Sequence, residues 1–103
     1  KDQATDLLFE AILSLQNPTE CYAFFEDICT IAELKSLAQR LHVAVMLSRG
    51  STYTEICEAT GVSTATISRV NRSLEYGADG YKLVLERLGE SGSLKNIDKQ
   101  KEK

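Results

Sequence analysis

The stretch GVSTATISRVNRSL, Gly61 to Leu74, carries two arginines, five Ser or Thr hydroxyls and no acid, in a chain of formal charge -3. Hydroxyls donate and accept hydrogen bonds, and a guanidinium pairs with phosphate or carboxylate. The chemistry on offer is therefore recognition of an anionic, hydrogen-bonding surface. Thr64, Ala65, Thr66 and Ser68 are short, so a helix bearing them brings its backbone close to base edges. Their hydroxyls reach bases or phosphates, and the methyls of Ala65 and Thr66 suit a thymine methyl. Arg69 and Arg72 add cations, and Ser63 stands where the helix presents free N–H groups and its positive dipole end.

Such a surface has to be held at a fixed angle. With its predecessor the segment reads YTEICEATGVSTATISRVNR, Tyr53 to Arg72, two short helices meeting at a turn that holds Gly61. Ile56, Val62, Ile67 and Val70 supply apolar contacts, and Cys57 is small where the helices cross. This is the pattern of a helix-turn-helix whose second helix enters the DNA major groove, with Thr54 on the first helix placed for a further contact.

Charge distribution agrees. Lys35 to Ser73 holds five Lys or Arg against two acids, whereas the remainder holds seven against thirteen. An acidic total conceals a basic half, and the local field governs docking.

Apolar residues recur every three or four positions and only one proline interrupts the chain, so an all-α fold of six helices is expected. The first spans about Thr5 to Gln16, with Leu7, Leu8, Ala11, Ile12 and Leu15 on one face. Asn17-Pro18 starts a second to Ile28, bearing Tyr22, Phe24, Phe25 and Ile28. Thr30 and Glu33 form a capping box that opens the longest helix, to about Ser48, with Leu34, Leu37, Ala38, Leu41, Ala44 and Val45 as its stripe. Arg49-Gly50 ends it. A second box, Thr52 and Glu55, opens a helix to Thr60, and Ser63 caps another to about Glu75. After Tyr76–Gly80 comes a last helix, Tyr81 to Leu88. Residues 1–89 read as one helical DNA-binding domain with the helix-turn-helix at about 53–72. Residues 90–103 read as a polar, disordered tail.

Cys21, Cys29 and Cys57 make no CxxC pair, and His42 is the one histidine, so neither a metal site nor a triad is indicated. The thiols are expected to be reduced and largely buried. No phosphate-cradling glycine loop or nucleophile–base pair stands out, and adjacent acids such as Glu26 and Asp27 point apart on a helix. An enzyme is not expected. Without a signal region or a long apolar run, a cytoplasmic protein away from membranes is.

The stretches CTIAELKSLAQRLHVAVMLSRG and ATISRVNRSL resemble the Trp repressor family, most closely its Trp repressor-like YerC/YecD branch. The likeness spans about Cys29 to Leu88. It implies a Trp repressor-like fold in an intertwined homodimer, with two heads reading a pseudo-palindrome whose half-sites lie about one helical turn apart. It also implies a repressor gated by an amino-acid corepressor. Thr30, Arg40, Arg69 and Ser73 match the family's ligand-binding types, the two guanidiniums sandwiching the ligand ring. The ligand amine would be held by carbonyls near Asp27 and Cys29 of the partner subunit. One position departs: after Arg69 the Trp repressor has glycine, here Val70. Its three extra carbons at a ring-contact position argue against tryptophan and for a smaller amino acid such as histidine, or for no effector. A protein-interaction adaptor using the same helix pair without DNA is the competing reading.

Overall fold

The computed structural model describes residues 2–94, which form six helices and no strand among them. The expected tail lies outside the described residues from position 95 onward. The helices are α1 (Gln3–Leu13), α2 (Pro18–Ile28), α3 (Ile31–Ser48), α4 (Tyr53–Thr60), α5 (Thr64–Tyr76) and α6 (Gly80–Ser91). They fall into two compact units whose boundary lies between Ser36 and Leu37.

In the first unit, every helix start is capped by its own sequence. Asp2 accepts from the Thr5 N–H at 2.7 Å, and Asn17 from the Glu20 N–H at 2.9 Å with Pro18 opening α2. Thr30 and Glu33 close both halves of their box, at 2.8 and 3.0 Å. Each of these bonds satisfies a helix-end donor that has no partner within the helix. The Asp2 cap starts α1 two residues before the expected Thr5. It also ends early, because the Ser14 hydroxyl donates to the Ala11 carbonyl at 2.6 Å and the last turn tightens there. Leu15 therefore falls outside the helix. Neither α1 nor α2 has a single buried residue. Leu13 is 83% exposed and Ile31 89%.

The second unit holds the core. Val43, Ala44 and Met46 of α3 cluster with Ile56 of α4 and with Ile67 and Val70 of α5. Leu47, Cys57, Val62, Leu74, Tyr81 and Leu85 pack around them. On α3 the face that meets this core is set by Val43 and Met46 together with Ala44, the one member of the expected stripe in the cluster. Of that stripe Ala44 and Val45 are buried, while Leu37 and Ala38 are exposed. The reason is local: one helix offers two apolar faces, and periodicity cannot rank them.

Turns follow the residues that favour them. Gly50 and Gly61 adopt φ of 80° and 74°, a left-handed conformation that costs glycine little. Gly77 is required for a different reason. A Cβ there would lie 2.4 Å from the Ser73 carbonyl oxygen, which accepts from the Gly77 N–H at 2.9 Å. The last helix runs past the expected stop at Leu88, through Gly89, to Ser91. Gly92, with φ of 80°, is the actual terminator, and the Ser93 N–H donates to the Leu88 carbonyl. The cysteines are also less covered than expected. Cys21 is exposed, and Cys29 and Cys57 are half-buried, since α2 buries nothing and Cys57 sits at the edge of the core.

Candidate nucleic-acid interface

The α4–α5 pair is built from its ends inward. The Thr52 hydroxyl accepts from the Glu55 N–H at 3.1 Å and the Glu55 carboxylate from the Thr52 N–H at 2.8 Å, starting α4 with both halves of a capping box. Gly61 closes α4, its N–H donating to the Cys57 carbonyl at 2.9 Å. Two residues later Ser63 caps α5 by accepting from the Thr66 N–H at 3.2 Å. The pair is thus joined by Gly61, Val62 and Ser63 alone, and it is clamped by fully buried Ile56 and Ile67.

Burial divides α5 lengthwise. Ile67 and Val70 point into the core, with Thr66, Asn71 and Leu74 half-buried beside them. Thr64, Ala65, Ser68, Arg69, Arg72 and Ser73 are exposed. At about 100° per residue these six fall on one continuous face opposite the core; none of them is acidic, and exposed Glu75 joins the same face only in the last turn of the helix. Their order is useful: small polar side chains lie at the N-terminal end and the guanidiniums follow.

Two of the expected contact residues have structural duties. The Ser63 oxygen caps the helix, and its hydroxyl donates to the Thr66 Oγ1 at 3.2 Å. Thr66 is half-buried and keeps its own O–H to donate. Thr54 is exposed on the first turn of α4.

The expected effector residues are distributed between the two units. Arg40, Arg69 and Ser73 belong to the second unit and are exposed. Thr30 belongs to the first, where its oxygen accepts from the Glu33 N–H. Val70 does not line open space beside Arg69: it is 3% exposed and its extra carbons lie in the core. Ser73 also borders an apolar pocket of about 480 Å³, lined further by Leu41, Gly77, Ala78, Gly80, Tyr81 and Val84.

One residue that the sequence pattern does not single out takes part in holding the pair. Gln39 Nε2 of α3 donates to the Thr60 carbonyl at the end of α4, at 3.2 Å. Its signal in the sequence is weak: an amide one turn ahead of Val43, on the same face. No group of three His, Cys, Asp or Glu able to hold a metal occurs among the described residues. None of the described helices is long and apolar enough to cross a membrane.

Comparison with known proteins agrees with this geometry. The profile of the Trp repressor protein family matches residues 3–89, so the chain belongs to that family. The YerC protein of Bacillus subtilis strain 168 is 58% identical over 86 residues, covering 84% of this chain and 83% of the relative, which places the chain in the YerC branch. A TrpR-like protein from Eubacterium eligens has a solved structure that superposes with a TM-score of 0.85 at 63% identity, over 86% of this chain and 92% of that one. A Trp repressor candidate from Staphylococcus aureus superposes at 0.84 with 53% identity, over 86% and 89%. The family is one of DNA-binding helix-turn-helix regulators, not of enzymes, and its members use an amino-acid corepressor.

Proposed function

We propose that this chain is a homodimeric transcriptional regulator of the cytoplasm, a repressor that reads a pseudo-palindromic operator with α5. The observation that carries the reading is the exposed face of α5 from Thr64 to Ser73, which bears Arg69 and Arg72 and meets an acid only in the last turn, at Glu75, and is fixed to the core by Ile67 and Val70. Thr64, Ala65 and Ser68 lie against base edges, while Arg69, Arg72 and Thr54 contact phosphates. Ser63 and Thr66 orient the helix start, where free N–H groups meet a phosphate. Residues 1–89 work as one DNA-binding domain with the helix-turn-helix at 53–72. The uncovered apolar side chains of α1 and α2 support the homodimer, because ordering a helix that buries nothing gains too little against its conformational entropy.

The effector is a small amino acid bound through Arg40, Arg69 and Ser73 of the second unit, its carboxylate paired with a guanidinium and its side chain stacked between the two planes. It acts by setting the distance between the two heads.

The test is selection of random duplexes by the purified protein at about 0.1 M salt, where specific and non-specific binding separate. The selection is run with and without the twenty amino acids. Enrichment of a pseudo-palindrome is expected, with a stronger or altered enrichment when the right amino acid is present. Absence of enrichment in both arms sinks the DNA reading and favours a protein partner for the same helix pair.

A further inference from the structure

We infer that Gln39 is a positioning residue that locks the pitch of the α4–α5 pair against α3 and so sets the separation of half-sites the protein accepts. This rests on the DNA-reading function proposed above and adds a residue through which that function is tuned.

The Thr60 carbonyl is one of the last in α4, and such carbonyls have no partner within their own helix. Here it accepts from Gln39 Nε2 at 3.2 Å, twenty-one residues away in sequence. Thr60 is itself tied down on both sides. Its hydroxyl donates to the Ile56 carbonyl at 2.7 Å, and the same oxygen accepts from the Val62 N–H at 3.3 Å. One amide on α3 therefore grips the point where α4 ends and the turn into α5 begins.

Beside this bond, α3 shares an apolar cluster with the pair. Val43 and Met46 meet Ile56, Ile67 and Val70, and such contacts are non-directional, so they resist separation far better than they resist rotation or sliding. A hydrogen bond weakens steeply with angle, so the Gln39 bond supplies a direction that apolar contacts do not. Gln39 stands four residues before Val43 and seven before Met46, so it extends the core-facing row of α3 by one turn. That puts the directional contact at the end of the row nearest the turn. Its neighbour Arg40 lies about 100° round the helix and is exposed. A ligand held at Arg40 thus acts on the same turn of α3 that grips the reading pair.

The test uses the full chain and two variants, Gln39→Leu and Gln39→Met, which remove the donor at similar volume. The orientation of α4–α5 relative to α3 is measured by residual dipolar couplings, and duplex selection reads the preferred half-site separation. We expect both variants to fold and to show averaged couplings in α4 and α5. Their half-site sequence and salt dependence should match the parent, with a broader range of separations and roughly threefold to tenfold weaker binding to the parent's best operator. Unchanged couplings in either variant overturn the inference. So does a retained, equally sharp separation preference in a protein whose couplings have averaged. A changed half-site sequence with a lowered melting temperature also overturns it, since that reports a merely structural residue. If the parent enriches no pseudo-palindrome, the DNA reading is what fails, and the couplings alone then decide whether Gln39 positions the pair.

Discussion

The two units differ in what holds their helices. Up to Ser36 every helix begins on a well-made cap, yet no side chain of α1 or α2 is buried. From Leu37 onward the caps recur, and the buried apolar residues among those described, Val43 to Met46, Ile56, Ile67 and Val70, lie there. Caps fix where a helix starts, at about 1 kcal/mol each, but they do not hold one helix against another. Burial does that. The second unit therefore has a buried core of its own, even though Leu37, Tyr76, Leu83 and Val84 are exposed on it, whereas the first displays Leu7, Leu13, Tyr22, Ile28 and Ile31 and has no buried residue in α1 or α2.

The sharpest way to break this contrast is to empty the core of the second unit. Ile67→Ala should destabilise by about 2–5 kcal/mol, because the side chain is fully buried and its neighbours relax only partly. Urea unfolding measures it. A loss below about 1 kcal/mol would mean that this core is not what holds α5.

The counterpart in the first unit is Leu13→Ser. At 83% exposure the residue contributes little within the chain, so the helical content at high protein concentration should stay near the parent value. Association should weaken by at least about tenfold, since burying one leucine at an interface is worth about 1.5–3 kcal/mol. Sedimentation across a dilution series reads this. A self-association indifferent to Leu13 would remove the face of α1 from the dimer proposed here.

Arg72→Ala tests the polar exterior of the second unit. Binding to all duplexes should weaken about equally, and the slope of log affinity against log salt should fall by about one, as for a single phosphate contact. Ser68→Ala, in contrast, should shift sequence preference with the slope unchanged. If Arg72→Ala alters which sequence is preferred, the guanidinium reads bases and the division of labour along α5 is different.

The smallest effect lies at a cap. The Thr30 backbone N–H, and next its hydroxyl, hold the Glu33 carboxyl below the usual glutamate range. A carboxyl lowered on folding contributes stability that is complete above its unfolded pKa and is lost as pH falls through the folded value. The protection of amides at the first turn of α3, taken relative to their intrinsic exchange rate at each pH, should therefore fall on acidification below the ordinary carboxylate range, and Glu33→Gln should remove that loss. Equal acid sensitivity in the variant would assign the effect to another group.

Much of this was legible beforehand, and for a common reason. The boxes at Thr30–Glu33 and Thr52–Glu55, the Asn17-Pro18 start, and the stops at Gly50 and Gly61 all depend on residues within five positions of one another. Ile56, Val62, Ile67 and Val70 were readable as the clamp of α4 on α5 because only Gly61, Val62 and Ser63 separate the two helices, and the exposed face running from Thr64 to Arg72 followed from helical periodicity. Misreadings arose where two local signals competed. Ser14 ended α1 before Leu15 because its hydroxyl bonds back to the helix, and Gly89 was passed over in favour of Gly92.

What the sequence determined by itself is the set of helices, their ends and the polar face of α5, because each follows from contacts within a turn or two of chain. What only the tertiary structure decided is which of two apolar faces of α3 meets the core, that Val70 turns inward rather than toward Arg69, and that Gln39 holds Thr60. Those outcomes compare the burial of distant side chains or spend a hydrogen bond across twenty-one residues, and no local spacing encodes the winner.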